Sequence, residues 1–338
     1  MLGGLKSGVF FAVWISALAA QPALAADCLV APQPSVTFDG LSTLKDDHRE
    51  NLSGLACGPA SESGRVCLLV QDEGFRFAVG ILKDGHLSFR SRHKLPDNNL
   101  DGDLDAEAVT YGHAGFVVLG SHSRKARKCL ENNPAARQLI AVQLDADLSK
   151  SPAYVSSMQV PKLLAGVPDL AAKFDKCLGT TRPDNAVGIW NPEQGINFEG
   201  IALLDDRLFL GLRGPVLNGA AQVVETSLIA LMGDAEPQAK LWPLLLDPQD
   251  GIRDIASYEG KLLLLSGPEN NDQGKPAIYL WDGNSTVAQK LCDIPKAILK
   301  AKPEALLVLS GPAAKLHVLV LSDGETDGDP HEFVIDMP

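Results

Sequence analysis

The sequence predicts an all-β ring: a β-propeller of five four-stranded blades, closed by strands from both ends of the chain. Three observations carry this. Short apolar runs alternate with Gly, Pro, Asn and Asp along most of the 338 residues, the pattern of short strands joined by tight turns. A three-residue pattern (polar, usually small, then aliphatic) recurs five times along the chain. The two chain ends left outside those five units together supply about one further unit.

The recurring triplets are Ser53-Gly54-Leu55, Glu107-Ala108-Val109, Glu199-Gly200-Ile201, Arg253-Asp254-Ile255 and Glu304-Ala305-Leu306, spaced 54, 92, 54 and 51 residues apart. Each is followed by a turn and a second strand: Val66 to Val70, Phe116 to Leu119, Leu208 to Leu212, Leu262 to Leu265 and Leu316 to Leu321. Strand lengths are kept while turns vary, as in diverged hairpin repeats. Third and fourth strands follow in the first four units. In the third unit they are read at Leu228 to Met232 and Leu241 to Leu246.

The fifth unit has only one further strand, Phe333 to Ile335, before the chain ends. Ser35 to Phe38, which has no hairpin partner of its own, is expected to complete it. Such closure hides the sheet edges that an open array would expose. The 92-residue spacing leaves room for a sixth blade. An insertion over about 162–197 is preferred, because that stretch reads as turns and a short helix (Leu170 to Cys177).

The N-terminus places the chain outside the cytoplasm. Lys6, the apolar run Gly8 to Ala20 and the small-x-small site Ala23-Leu24-Ala25 form a secretory signal peptide over residues 1–25. The run is too short to span a bilayer. The mature chain, 26–338, is expected to be a periplasmic or secreted monomer without a membrane span. Its net charge is −12 before the leader is lost, which excludes nucleic acid as a partner and leaves a small molecule or another protein. The six cysteines, with no C-x-x-C pair among them, read as disulfides, and spacing alone does not choose among the fifteen pairings; the pairing expected is Cys57–Cys67 within one hairpin, Cys129–Cys177 across the insertion, and the remaining Cys28–Cys292 beside the closure.

Antiparallel pairing brings the start of each first strand and the end of each second strand to one mouth of the channel. This gathers Ser53, Glu107, Glu199, Arg253 and Glu304 with Asp72, Glu73, Ser121, His122, Arg213, Glu269 and Asp323. Three readings of this ring stand side by side. It is a network of ion pairs tying the blades together. It is a cation site, calcium or another divalent ion, on Glu107, Glu199 and Glu304. Or it is a hydrolytic site for phosphoesters or esters, with catalysis by Glu107, Glu199, Glu304 and His122 and the substrate held by Arg213, Arg253, Asp254, Ser121, Asp72 and Glu73. A non-catalytic scaffold is the alternative to a hydrolase. The acidic stretches Asp101 to Glu107 and Asp323 to Asp329 fail the EF-hand pattern. No G-x-S-x-G elbow, Walker loop, H-E-x-x-H or dinucleotide fingerprint occurs in the sequence.

At Gly54, Asp72-Glu73-Gly74, Gly120-Ser-His-Ser123, Asn197-Phe-Glu-Gly200, Gly211-Leu-Arg-Gly-Pro215 and Gly251-Ile-Arg-Asp254 the chain resembles a bacterial exported family known as a domain of unknown function, number three-six-one-six, from about Asn51 to Asp323. Ala108 and Ala305 depart from the E-G pair of that pattern. The family is in turn similar to the esterase-like and phytase-like propellers. The resemblance implies a propeller and leaves the activity open.

Overall fold

The computed structural model describes residues 26–32, 35–41, 49–125, 129, 131–145, 148, 150–178, 194–270, 274–299, 301–310 and 314–338. The leader read over 1–25, and residues 179–193 of the expected insertion, lie outside the described residues.

Two short strands come first, β1 (Leu29–Val30) and β2 (Thr37–Asp39). Blade 1 is β3 (Leu52–Cys57), β4 (Arg65–Gln71), β5 (Arg76–Lys83) and β6 (His86–Lys94). Blade 2 is β7 (Ala106–Gly112), β8 (Gly115–Gly120), β9 (Leu139–Gln143) and β10 (Ala153–Ser157). Blade 3 is β11 (Asn197–Leu204), β12 (Arg207–Gly214), β13 (Ala221–Ser227) and β14 (Lys240–Leu244). Blade 4 is β15 (Asp250–Tyr258), β16 (Lys261–Pro268), β17 (Ala277–Trp281) and β18 (Gln289–Asp293). Blade 5 is β19 (Pro303–Ser310), β20 (Lys315–Ser322) and β21 (His331–Asp336), with β1 as its fourth strand. The innermost strands follow one another around the axis, β3 beside β7, β11, β15 and β19, and β19 returns to β3. The architecture is a five-bladed β-propeller.

Closure by the N-terminal segment is as expected, but the strand that makes it is different. Leu29 and Val30 pair antiparallel with Val334 and Phe333 of β21. The segment read as the closing strand, Ser35 to Phe38, instead contributes to β2, which runs parallel to β6 on the outer edge of blade 1. The Cys28–Cys292 disulfide, with Cα atoms 5.0 Å apart, fixes the outcome. It anchors the residue before β1 to β18, and Cys28 N donates to Asp293 O at 2.7 Å. Cys57–Cys67 joins directly opposed residues of β3 and β4, and Cys129–Cys177 forms as well.

The second strand of each blade has both faces buried over most of its length, which is why the sequence shows unbroken apolar runs there rather than alternation. In the run Leu262 to Leu265, Leu262 and Leu264 pack with Phe209 and Trp242 of blade 3. Leu263 and Leu265 pack with Leu306 and Val318 of blade 5. The core is therefore five apolar layers, one at each blade interface.

Two local expectations are corrected. Leu228–Met232 is a helix, α3, not a strand. Ser227 caps it by accepting the Ala230 N–H on its side-chain oxygen, and β13 has already ended. The helix expected at Leu170 to Cys177 is instead two short ones nearer the blade, Val160–Ala165 and Pro168–Ala171, each starting with a proline in its first turn. Their Leu163, Leu164 and Leu170 fill the layer between blades 2 and 3.

Candidate functional site: the polar mouth of the channel

The polar residue of every triplet sits on a β-bulge. Pairing skips Ser53 between Leu52 and Gly54, Glu107 between Ala106 and Ala108, and Glu199 between Phe198 and Gly200. It skips Arg253 between Ile252 and Asp254, and Glu304 between Pro303 and Ala305. A bulge adds one unpaired residue and re-aims its side chain. Repeated five times, it directs five polar groups to one level of the channel. Two residues further along lie Leu55, Val109, Ile201, Ile255 and Leu306, all buried. The polar mouth thus rests on an aliphatic ring.

The small middle residue has a packing reason. A Cβ on Gly54 would stand 2.9 Å from the Ala108 Cα, and one on Gly200 would stand 2.8 Å from Ile255. Innermost strands approach too closely there for a larger side chain. Blade 4 breaks the rule with Asp254. Its Oδ2 accepts the Leu306 N–H of blade 5 at 2.7 Å and its Oδ1 accepts the Ile255 N–H at 2.7 Å. Both oxygens of this buried carboxylate are engaged by backbone, so Asp254 ties blades together rather than facing the mouth.

Glu199 is the hub of the basic half. Its Oε1 accepts from Arg213 Nη1 at 2.8 Å and from Asn197 Nδ2 at 3.0 Å, and its Oε2 accepts from Arg253 Nη1 at 3.0 Å. The same Arg253 nitrogen lies 3.4 Å from Glu304 Oε1. Arg253 Nη2 donates to Pro268 O at 2.8 Å, and Arg213 Nε to Glu269 O at 3.1 Å. Burial alone would raise the Glu199 carboxyl, but Arg213 and Arg253 reverse this and hold it below the usual range. Glu304, more distant from the guanidiniums, is raised well above its ordinary value by burial and by Glu199. Of two carboxyls sharing one arginine, the nearer keeps the charge.

Blades 1 and 2 form an acidic half. Burial, then Asp323, Asp105, Glu73 and Asp103, push Asp72 up to about 8. Burial lifts Asp105 to about 6, against hydrogen bonds from Ser121 and Ser123. Glu107 is raised well above its ordinary value by burial, then by Asp105, Glu199 and Glu304. It remains partly exposed. Among the described residues no hydrogen bond or ion pair engages its carboxyl.

The other expected residues divide. Ser53 Oγ donates to Ala106 O at 2.5 Å across the blade 1–blade 2 interface. Ser121 faces Asp105, and Glu73 is exposed at the rim. Glu269 Oε1 accepts the Val216 N–H at 2.7 Å. His122 turns away: its φ is +57°, its Nδ1 bonds Gly120 O at 2.7 Å, and its ring meets Phe198 edge-on. Burial lowers it to about 4. It does not form a nucleophile–base pair with Ser121 or Ser123. Nor do Glu107, Glu199 and Glu304 form a cage for calcium as they stand. Arg253 stands between Glu199 and Glu304, and among the described residues no group of three His, Cys, Asp or Glu side chains is placed to hold a metal ion.

Sequence reasoning missed Asp105, Asn197 and Lys302 as members of the mouth. Each stands two residues before the triplet's polar residue, but only Asn197 lies within its strand; Asp105, with φ +51°, and Lys302 precede theirs, so no strand periodicity pointed to them. The fourth unit has Gly251 at that place, where a Cβ would stand 1.9 Å from Arg213 O.

Residues 175–330 match the sequence model of a family described as "Protein of unknown function (DUF3616)". The match takes in less than half of the chain, which is similar to that family over these residues. The DUF3616 match covers blades 3 and 4, with the GLRGP and GIRD segments, and the first two strands of blade 5. It starts later than the resemblance suggested, leaving Gly54, Asp72 to Gly74 and Gly120 to Ser123 outside. No curated protein matches the sequence. Among solved structures, the chain is similar to Zg3597, a family 117 glycoside hydrolase of the marine bacterium Zobellia galactanivorans: TM-score 0.51, 7% identity, covering 92% of this chain and 91% of that one. At that identity the likeness shows the fold alone. The Kuenenia stuttgartiensis hydrazine synthase (TM-score 0.39, 9% identity, covering 82% of this chain) and the Bacteroides ovatus xyloglucan GH43B (0.44, 11%, 85%) are more distant. The chain spans 58% and 52% of their lengths.

Proposed function

We propose that the chain is a hydrolase of uncharged substrates, working in the acidic half of the polar mouth with Glu107 as proton donor. The observation that carries this is the unequal fate of the three triplet glutamates. Glu199 and Glu304 are engaged by arginine, while Glu107 faces the mouth without a bonded partner among the described residues. A carboxyl whose ionised form is disfavoured keeps its proton near neutral pH and can protonate a leaving group. Asp105, which titrates at about 6 and is oriented by Ser121 and Ser123, supplies an ionised partner at pH 7 to activate water. Because the charges of Arg213 and Arg253 are already answered by Glu199 and Glu304, an anionic phosphoester loses the free counter-charge that sequence reasoning assigned to it. A neutral ester or glycoside suits the remaining acids better.

The three disulfides belong to an oxidising compartment. Among the described residues no helix is long and apolar enough to cross a membrane. The disulfides support export through the leader over 1–25 to the periplasm or beyond, where the chain would act as a monomer on a small molecule.

The test is turnover of nitrophenyl esters, glycosides and phosphates by the full mature chain and by Glu107→Gln. The expected result is activity on an uncharged substrate that falls about 10²-fold or more in the variant, with an unchanged melting temperature. Absence of turnover across the panel, or equal rates in the variant, would overturn it.

A non-catalytic scaffold is the second reading. The aliphatic ring beneath the polar groups favours it, because it turns the channel into a blind cup. A protein partner bound at this mouth with no loss of affinity in Glu107→Gln would decide for the scaffold.

A further inference from the structure

The opposite end of the channel is chemically different. There the innermost strands and their hairpin turns enclose a cavity of about 340 Å³, within the size range of ligand sites (about 300–1,000 Å³). Its floor is the underside of the aliphatic ring, with Leu55, Val109, Ile255 and Leu306, and its wall carries Tyr111 and Arg65. Among the described residues no Asp or Glu lines it.

Among the described residues Arg65 is the one charged group of this cavity, and the partners of its hydrogen bonds are all neutral. Nε donates to Gly58 O at 3.0 Å, and Nη1 donates to Val308 O at 3.0 Å and to Leu309 O at 3.1 Å. Nη2 donates to Cys57 O at 3.4 Å. Among the described residues no carboxylate pairs with it, and burial pushes its pKa down. A guanidinium has five N–H donors, so one Nη2 donor is left over by these four bonds. The carbonyls, drawn from blade 1 and blade 5, hold the plane of the group fixed. A positive charge on an apolar wall, without a counter-charge and with a spare donor, is pre-organised for an anion.

We propose that this cavity binds a small amphipathic carboxylate, its alkyl or aryl tail on the Leu55–Val109–Ile255–Leu306 floor and its carboxylate on Arg65. The floor excludes a bare inorganic anion as the preferred ligand, since such an ion would leave the apolar surface in contact with water. The arginine excludes an amine of the same shape. The site is separate from the polar mouth, and the ring of aliphatic side chains lies between them.

The experiment is a calorimetric titration of the full mature chain with octanoate, 1-octanol and inorganic phosphate. Saturable binding of one octanoate per chain is expected, with 1-octanol weaker by about tenfold or more and no phosphate binding. Arg65→Met should lose the preference for octanoate over octanol, and Arg65→Lys should keep most of it. Because Arg65 also joins two blades, a second variant avoids its bonds. Pro59→Trp, at an exposed position on the cavity wall, should abolish binding of both ligands while circular dichroism stays that of the parent. Octanol binding as tightly as octanoate, phosphate competing with octanoate, or octanoate binding unchanged in Pro59→Trp would each overturn the proposal.

Discussion

Arg253 Nη1 lies 3.0 Å from Glu199 Oε2, and the two side chains are only 2% and 3% exposed. The first belongs to blade 4 and the second to blade 3. Since the same nitrogen also approaches Glu304 of blade 5, one buried guanidinium connects three of the five blades at the level of the mouth. Breaking such a pair on one side leaves a charge buried without compensation. Arg253→Met should therefore cost about 3–5 kcal/mol in urea unfolding. Glu199→Gln in the Arg253→Met background should cost much less than it does alone. Additive losses would mean that the two residues do not act as a unit.

Asp72 makes stability depend on pH. Its carboxyl titrates at about 8 in the folded chain against 3.8 ordinarily. Between those values the folded state binds more protons than the unfolded state, so stability falls as pH rises from about 4 to 8 and levels off above. Asp72→Asn removes the ionisation. The variant should gain stability over the parent at pH 9, by a few degrees in melting temperature, and lose the advantage at pH 4. Parallel pH profiles for parent and variant would show that Asp72 ionises normally.

The Cys28–Cys292 bond closes a span of 264 residues, Cys57–Cys67 one of 10. The chain-entropy account makes the longer loop the more stabilising one. Replacing Cys28 and Cys292 by Ser should cost about 2–5 kcal/mol and release β1 from β21, leaving an unpaired edge prone to association. Replacing Cys57 and Cys67 should cost less and leave the protein monomeric on light scattering. The reverse order would show that closure does not depend on the N-terminal clamp.

Calcium is expected to leave the thermal midpoint where a chelator leaves it, because Arg253 already answers the charge of Glu199. A ligand present at about 100 times its dissociation constant would add about 2.7 kcal/mol, visible as a shift of a few degrees. A rise in calcium that is lost in Glu107→Gln would put a cation in the acidic half instead.

Much of the ring was legible because its signals are local. The triplets, the hairpin spacings and the runs buried on both faces all come from period-2 geometry acting within a few residues. Of the disulfides, only Cys57–Cys67 was legible from strand neighbourhood; Cys129–Cys177 was expected from its place across the insertion and Cys28–Cys292 as the pair left over. The closing strand was not. Leu29–Val30 and Ser35 to Phe38 are both short extended segments, and only the position of Cys28 against Cys292 decides which one reaches β21. Leu228 to Met232 was misread because five apolar residues fit a buried strand and a short helix equally well. The cap from Ser227, together with β13 ending at that residue, settles it as a helix.

For the mouth, the sequence alone determined which residue types recur at which spacing, and hence that five polar side chains collect at one end of the channel. Only the tertiary structure decided what becomes of each. The bulge in every innermost strand turns the polar residue inward, and its existence depends on the partner strand rather than on the triplet. Glu107, Glu199 and Glu304 are equivalent in the repeat. They differ in the fold because two arginines, contributed by β12 and β15, reach Glu199 and Glu304, while Glu107 is bonded by neither and feels the carboxyls of Asp105, Glu199, Glu304 and Asp72. The sign and distance of groups remote in sequence set the charge of a buried carboxyl, and no local pattern encodes them.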